Sequence, residues 1–156
     1  MTYEEYFRGR FDRQVQLIKE FERVFGRKRT FEIVGKANEK FAVEFIKKEL
    51  KEKPIKNFEE FKALVKQDMR SPFWSHVLTV TFPEETPQKI VFNVTECLWA
   101  KTFKELNATD LGYILWCRPD FAMARAYHPN IRLKRTKTLM QGDSYCNHAY
   151  CWKEKR

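Results

Sequence analysis

The spacing of apolar side chains changes once along this chain, at Ser71-Pro72, and that change restricts the fold more than any other feature. Before it, Tyr3, Phe7, Phe11, Val15, Ile18, Phe21 and Phe25 recur every three or four residues with charges between, the stripe of an amphipathic helix ended by Gly26. A second stripe runs from an N-cap at Thr30 through Val34, Ala37, Phe41, Phe45 and Ile46 to Leu50, and Pro54 closes it. Asn57 caps a third helix reaching Met69, with Phe58, Phe61, Leu64 and Val65 turned inward.

Beyond the break the chain is built of shorter pieces. Residues 77–82 and 89–95 are β-branched runs around the turn-forming Pro-Glu-Glu-Thr-Pro of 83–87, which predicts an antiparallel hairpin. A helix is expected from Glu96 to Leu106, and another, capped by Thr109 or Asp110, reaches Cys117. Arg118-Pro119 interrupts it, because the residue before proline is pushed out of the helical region while proline suits the first position of a new helix. That helix carries Asp120, Phe121, Met123 and Tyr127 to His128-Pro129, and residues 131–140 and 146–152 make a final hairpin around Gly142-Asp143. Strands paired locally rather than alternating with helices predict an α+β fold: N-terminal helices, then two β-hairpins forming an antiparallel sheet with helices between them. We expect a single domain over 1–156, with a helical half to residue 70 and an α+β half from 71.

The net charge of +9 directs attention to acidic partners, but Lys and Arg alternate with Glu along the first fifty residues, as on a solvated helix face. Only residues 27–29 and the group Arg132, Lys134, Arg135 and Lys137 are densely basic, and neither lies on a nucleic-acid recognition module. Nucleic acid is therefore not the expected partner. No apolar run is long enough to span a bilayer and the first residues lack the pattern of a signal peptide, so a cytoplasmic protein is expected. The 14 Phe serve a core or a dimer interface equally well, which leaves a homo-oligomer open.

Four cysteines, at 97, 117, 146 and 151, are expected to be free thiols. Cys97 stands where a strand hands over to a helix and Cys117 where one helix stops and another begins, positions at which the helix dipole lowers a thiol pKa. With a period of two, Cys146, His148, Tyr150 and Trp152 point to one face of the last strand, and Asn147, Ala149 and Cys151 to the other. No cofactor is expected. A mixed zinc site of Cys97, Cys117, Cys146 and His148 is geometrically open, although the usual short Cys-x2-Cys spacing is absent. On the preceding strand, Arg132, Lys134 and Thr136 share one face and Arg135, Lys137 and Leu139 the other; a basic pair there suits a substrate carboxylate, and equally suits an edge strand protected from aggregation. His128 reads as a loop or cap residue, and His76 carries no signal.

The order Glu96-Cys97, then Cys117-Arg-Pro-Asp120, then Arg-Thr-Lys-Thr-Leu-Met-Gln-Gly-Asp over 135–143, followed by Cys146-Asn-His148, resembles the L-2-amino-thiazoline-4-carboxylate hydrolase family. The resemblance covers residues 91–152, and Cys151 and the helical first half add nothing to it. Where family members often carry aspartate after the final cysteine, this chain has Asn147. The resemblance implies hydrolysis at the amidine carbon of a small cyclic 2-aminothiazoline or a related C–N bond, giving a carbamoyl-cysteine-type product. It implies chemistry at Cys117, Cys146, Asp120, His148 and Cys97. Water or a thiolate would add, and a carboxylate or His148 would move the proton. It also implies substrate contacts from Arg135, Thr136, Lys137 and Asp143, with Arg135 or Lys137 on the ring carboxylate. The closing hairpin is also similar to that of vinyl-reductase-type small-ligand domains, which bind their ligands without turnover. A scaffold that meets other proteins through its aromatic-rich helices is the third reading.

Overall fold

The computed structural model describes residues 1–154. Helix α1 (Tyr3–Phe25) opens on a capping box in which the Thr2 N–H donates to Glu5 Oε2 (2.8 Å) and the Glu5 N–H to Thr2 Oγ1 (3.1 Å). Its inner stripe of Phe7, Phe11, Val15 and Ile18 is buried. Gly26, at φ +82°, alone joins α1 to α2 (Arg27–Glu49), a left-handed turn that glycine makes without a Cβ penalty. The N-cap expected at Thr30 is thereby displaced: Thr30 is buried inside α2, and the helix begins three residues earlier. Asn57 caps α3 (Phe58–Arg70) as expected, accepting from the Glu60 N–H at 3.0 Å.

Ser71-Pro72 does more than interrupt. Proline opens a short helix α4 (Pro72–Val77), which leads directly into strand β1 (Leu78–Thr86). The strand runs through the segment expected to turn, and the reversal falls at Pro87-Gln88, just before β2 (Lys89–Cys97). Pro83 is tolerated because β1 is a sheet edge and the register shifts between Thr81 and Glu84, where no ladder N–H is required. Helix α5 (Leu98–Glu105) follows with Cys97 as its N-cap. Next come α6 (Thr109–Gly112), a π-helical turn (Tyr113–Cys117), α7 (Asp120–Tyr127), β3 (Ile131–Lys134), a 3-10 turn (Leu139–Gln141) and β4 (Cys146–Trp152). The sheet is antiparallel throughout, in the order β1-β2-β4-β3, and the fold is α+β.

The final hairpin differs from expectation in its first arm. β3 stops at Lys134 and residues 135–138 leave the sheet. In β4 the expected parity holds: Cys146, His148 and Tyr150 are buried and Cys151 lies on the other, partly exposed side. Two apolar clusters result, one of α1, α5, α6 and the π-turn, the other between the sheet, α3 and α7. Leu78, Cys97 and Leu139 pack against both.

Gly112 lies in the first cluster, where an added Cβ would come within 2.5 Å of Met140 Sδ and 2.7 Å of Phe103 Cγ. Gly112→Ala is therefore expected to destabilise the fold by about 1–3 kcal/mol through overpacking. A urea midpoint equal to that of the wild type would show that Phe103 and Met140 can yield.

Candidate active site

Pro119 sets the geometry of the site. A proline has no N–H to give the carbonyl four residues before it, and its ring crowds that carbonyl. The helix accordingly widens, and the Arg118 N–H reaches back five residues to the Tyr113 carbonyl at 2.8 Å. Two carbonyls freed by this widening are taken by side chains from elsewhere. Asn38 Nδ2 of α2 donates to the Leu115 carbonyl. Arg135 Nη2, from the segment after β3, donates to the Cys117 carbonyl at 2.7 Å. Arg118 turns back to α2, donating from Nε to Glu39 at 2.6 Å, with its guanidinium so close over Gly35 that a Cβ there would lie 2.9 Å from it. Contrary to expectation Arg118 stays in the helical region, at φ −60° and ψ −38°, and Pro119 is the N-cap of α7 rather than its first residue, which delivers Asp120 to the first turn.

Arg135 is the centre of the resulting cluster. Its side chain is only 2% exposed, whereas that of Asp120 is 26% exposed. Nη1 donates to Asp120 Oδ2 at 2.5 Å and lies 3.1 Å from His148 Nε2. The Phe121 ring centroid is 5.1 Å from the guanidinium carbon. His148 Nε2 is 3.7 Å from Asp120 Oδ2, and its ring stacks on Phe92 at 4.6 Å with 10° between planes. Asp120, Arg135 and His148 thus meet, and the sequence places them on three different elements.

Thr136, Lys137 and Asp143 are exposed around this centre. Asn147 takes over the pairing that β3 abandons: its Oδ1 accepts the Thr136 and Lys137 N–H groups at 2.9 and 2.7 Å, and its Nδ2 donates to Thr136 Oγ1 at 2.9 Å. Asp143 Oδ2 accepts the Thr138 N–H at 2.8 Å. Asn147 and Asp143 therefore brace the 135–138 segment, while Lys137 extends over the Tyr145 ring with 4.9 Å to its centroid.

The thiols correct the expectation of lowered pKa values. Cys97 does cap α5, its Sγ accepting the Ala100 N–H at 3.5 Å, yet burial outweighs that bond and pushes the thiol up to about 11. Cys117 ends the π-turn instead of starting a helix, and burial drives it higher still against the opposing charge of Arg135. Burial also raises Cys146, whose Sγ accepts the Leu139 N–H at 3.2 Å. Cys97, Cys117 and Cys146 lie near enough to Asp120 for its charge to raise each of them further. The zinc set is a second correction. Among the described residues no three His, Cys, Asp or Glu side chains form a metal-binding group, and His148 Nε2 faces a guanidinium, which repels a cation.

Burial raises Tyr127 and Tyr150 as well. Groups whose folded pKa lies above the unfolded value stabilise the fold fully below the unfolded value, and that stability is lost as pH rises through the folded one. With cysteine ordinarily at 9.0 and Cys97 at about 11, stability is expected to hold up to about pH 9 and to fall steadily above it. Urea midpoints measured from about pH 8 to about pH 11 check this; a midpoint that rises with pH would contradict it.

The chain matches the model of the L-2-amino-thiazoline-4-carboxylic acid hydrolase family over residues 4–150. The chain belongs to that family. A comparison with curated proteins finds no match. The family match reaches back through α1 and α2, beyond the 91–152 expected from the motifs, and α2 supplies Asn38, Glu39 and Gly35 to the π-turn. Motif reading passed over those three; the signal that could have found them is Pro119, which obliges some distant donor to serve the Leu115 carbonyl. The family's activity is hydrolysis, and no helix among the described residues is long and apolar enough to cross a membrane.

Proposed function

We propose that this protein opens a cyclic 2-aminothiazoline-4-carboxylate-like amidine by adding water at the amidine carbon, with Asp120 as general base. The observation that carries the reading is the Asp120 carboxylate, a quarter exposed and anchored from its buried side by Arg135. Asp120 takes a proton from water as the oxygen bonds to the amidine carbon. Addition opens the C=N bond of the amidine, and its nitrogen ends with the second water proton as the hydroxyl becomes the urea carbonyl. The ring sulfur is expelled and leaves with the proton held by Asp120 as a thiol, so the product is an N-carbamoyl-cysteine. One water is consumed and no redox partner is needed.

Water is favoured over a thiolate as nucleophile because burial keeps Cys97, Cys117 and Cys146 protonated at neutral pH. Both terminal nitrogens of Arg135 already serve protein acceptors, so Lys137, exposed on the same segment, is the cation assigned to the ring carboxylate, with Thr136 beside it. Asp143 holds the segment in shape.

Incubation with 2-aminothiazoline-4-carboxylate should release one thiol per turnover, read with a thiol-reactive dye. A free amine in place of the thiol would move the cleavage to the ring C–N bond. No release with this ring or its close analogues would sink the reading in favour of a binding domain. Cys117→Ser and Cys146→Ser should each retain turnover, and its loss in a variant that still folds would return a thiol to the mechanism.

A further inference from the structure

His148 is held in a way that proton transfer does not use. A guanidinium has only N–H donors, so the nitrogen lying 3.1 Å from Arg135 Nη1 must accept. His148 Nε2 is that nitrogen, and the imidazole proton therefore sits on Nδ1. The ring is packed in place, stacked on Phe92 and 9% exposed as a residue. Nδ1 is itself buried and has no hydrogen-bond partner among the described residues. Buried donors are almost always satisfied, and this one belongs to a ring whose other edge lies 3.7 Å from the site carboxylate.

We propose that Arg135 is a positioning residue that holds His148 in its Nδ1–H form, and that this N–H receives an anionic oxygen of the bound ligand. That oxygen belongs either to the ligand carboxylate or to the oxyanion formed when water adds to the amidine carbon. His148 then donates a hydrogen bond and moves no proton; Asp120 alone is the base. The identity of the ligand rests on the hydrolytic reading above, whereas the tautomer does not.

Long-range 1H–15N correlation spectra test the tautomer directly, since the chain has only three histidines. The free protein should show His148 with a protonated Nδ1 and a bare Nε2, assigned by the signal missing from His148→Asn. Arg135→Met, lacking any donor, should release a mixture of tautomers. A wild-type ring protonated on Nε2, or on both nitrogens, would overturn the proposal without any assay of turnover.

Substitution separates donor from base. Asparagine places an N–H near the Nδ1 position, glutamine near the Nε2 position, and neither is a base. His148→Asn should keep kcat/KM within about tenfold of wild type and His148→Gln should lose about 100-fold or more, as expected for one preorganised donor. A loss confined to KM would assign the oxygen to the carboxylate and a loss in kcat to the oxyanion. Equal, large losses in two variants that both fold would overturn the donor role and return His148 to proton transfer. Absence of turnover in the wild type would sink the hydrolytic reading and the ligand half with it; the tautomer stands or falls by the spectrum.

Discussion

Asp120→Asn is expected to lower turnover of the aminothiazoline by about 10²–10⁴-fold, the range for loss of a positioned general base. Its structural effect should be separable from the catalytic one. The asparagine oxygen still accepts from Arg135 Nη1, but the guanidinium, 2% exposed, loses its counter-charge. Breaking a buried ion pair from one side costs about 3–5 kcal/mol. With Asp120 a quarter exposed and one hydrogen bond retained, the lower end applies, about 3 kcal/mol. For a chain of this size that is a fall in Tm of about 6–12 °C. Steady-state kinetics and thermal unfolding on the same sample check both parts. Turnover unchanged within a factor of two would remove Asp120 from the chemistry.

Arg135→Met should be the most destabilising single change near the site, about 3–5 kcal/mol. Methionine keeps the apolar stem of the side chain but has no donor. The Cys117 carbonyl loses its side-chain donor, and Asp120 and His148 Nε2 lose their shared one. Arg135→Lys should recover charge without the planar fork that serves several acceptors at once, and so should fall between wild type and methionine. Denaturant midpoints for the three proteins give the order. If Arg135→Met is as stable as wild type, the clamp on the π-turn is not what holds the site together.

Much of the scaffold is legible in local spacing. The stripe of Phe7, Phe11, Val15 and Ile18 marks α1 because a 3.6-residue period puts those side chains on one face, and they are buried. The alternation of β4 puts Cys146 and His148 on one buried wall and Cys151 opposite, as a period of two requires. The cap at Thr30 misreads the chain because Gly26 can turn it in one residue, which leaves no loop for a cap to follow. The first arm of the last hairpin misreads because Arg135 has a stronger call on its position than strand pairing has. Its guanidinium is drawn toward Asp120 and the Cys117 carbonyl, and Asn147 replaces the lost ladder bonds.

The amino-acid sequence by itself determined the helical first half, the antiparallel hairpins, the interruption at Pro119 and the family motifs. Each of these depends on residues within a turn or a strand of one another. The tertiary structure alone decided that Arg135 is spent on Asp120, His148 and the π-turn, that α2 braces the site through Asn38 and Glu39, and that the thiols are held protonated. Those outcomes turn on desolvation and on the partners of freed carbonyls, which are set by chain segments up to 79 residues apart. A dipole at the start of α5 can be read from the sequence around Cys97; the burial that overrides it cannot.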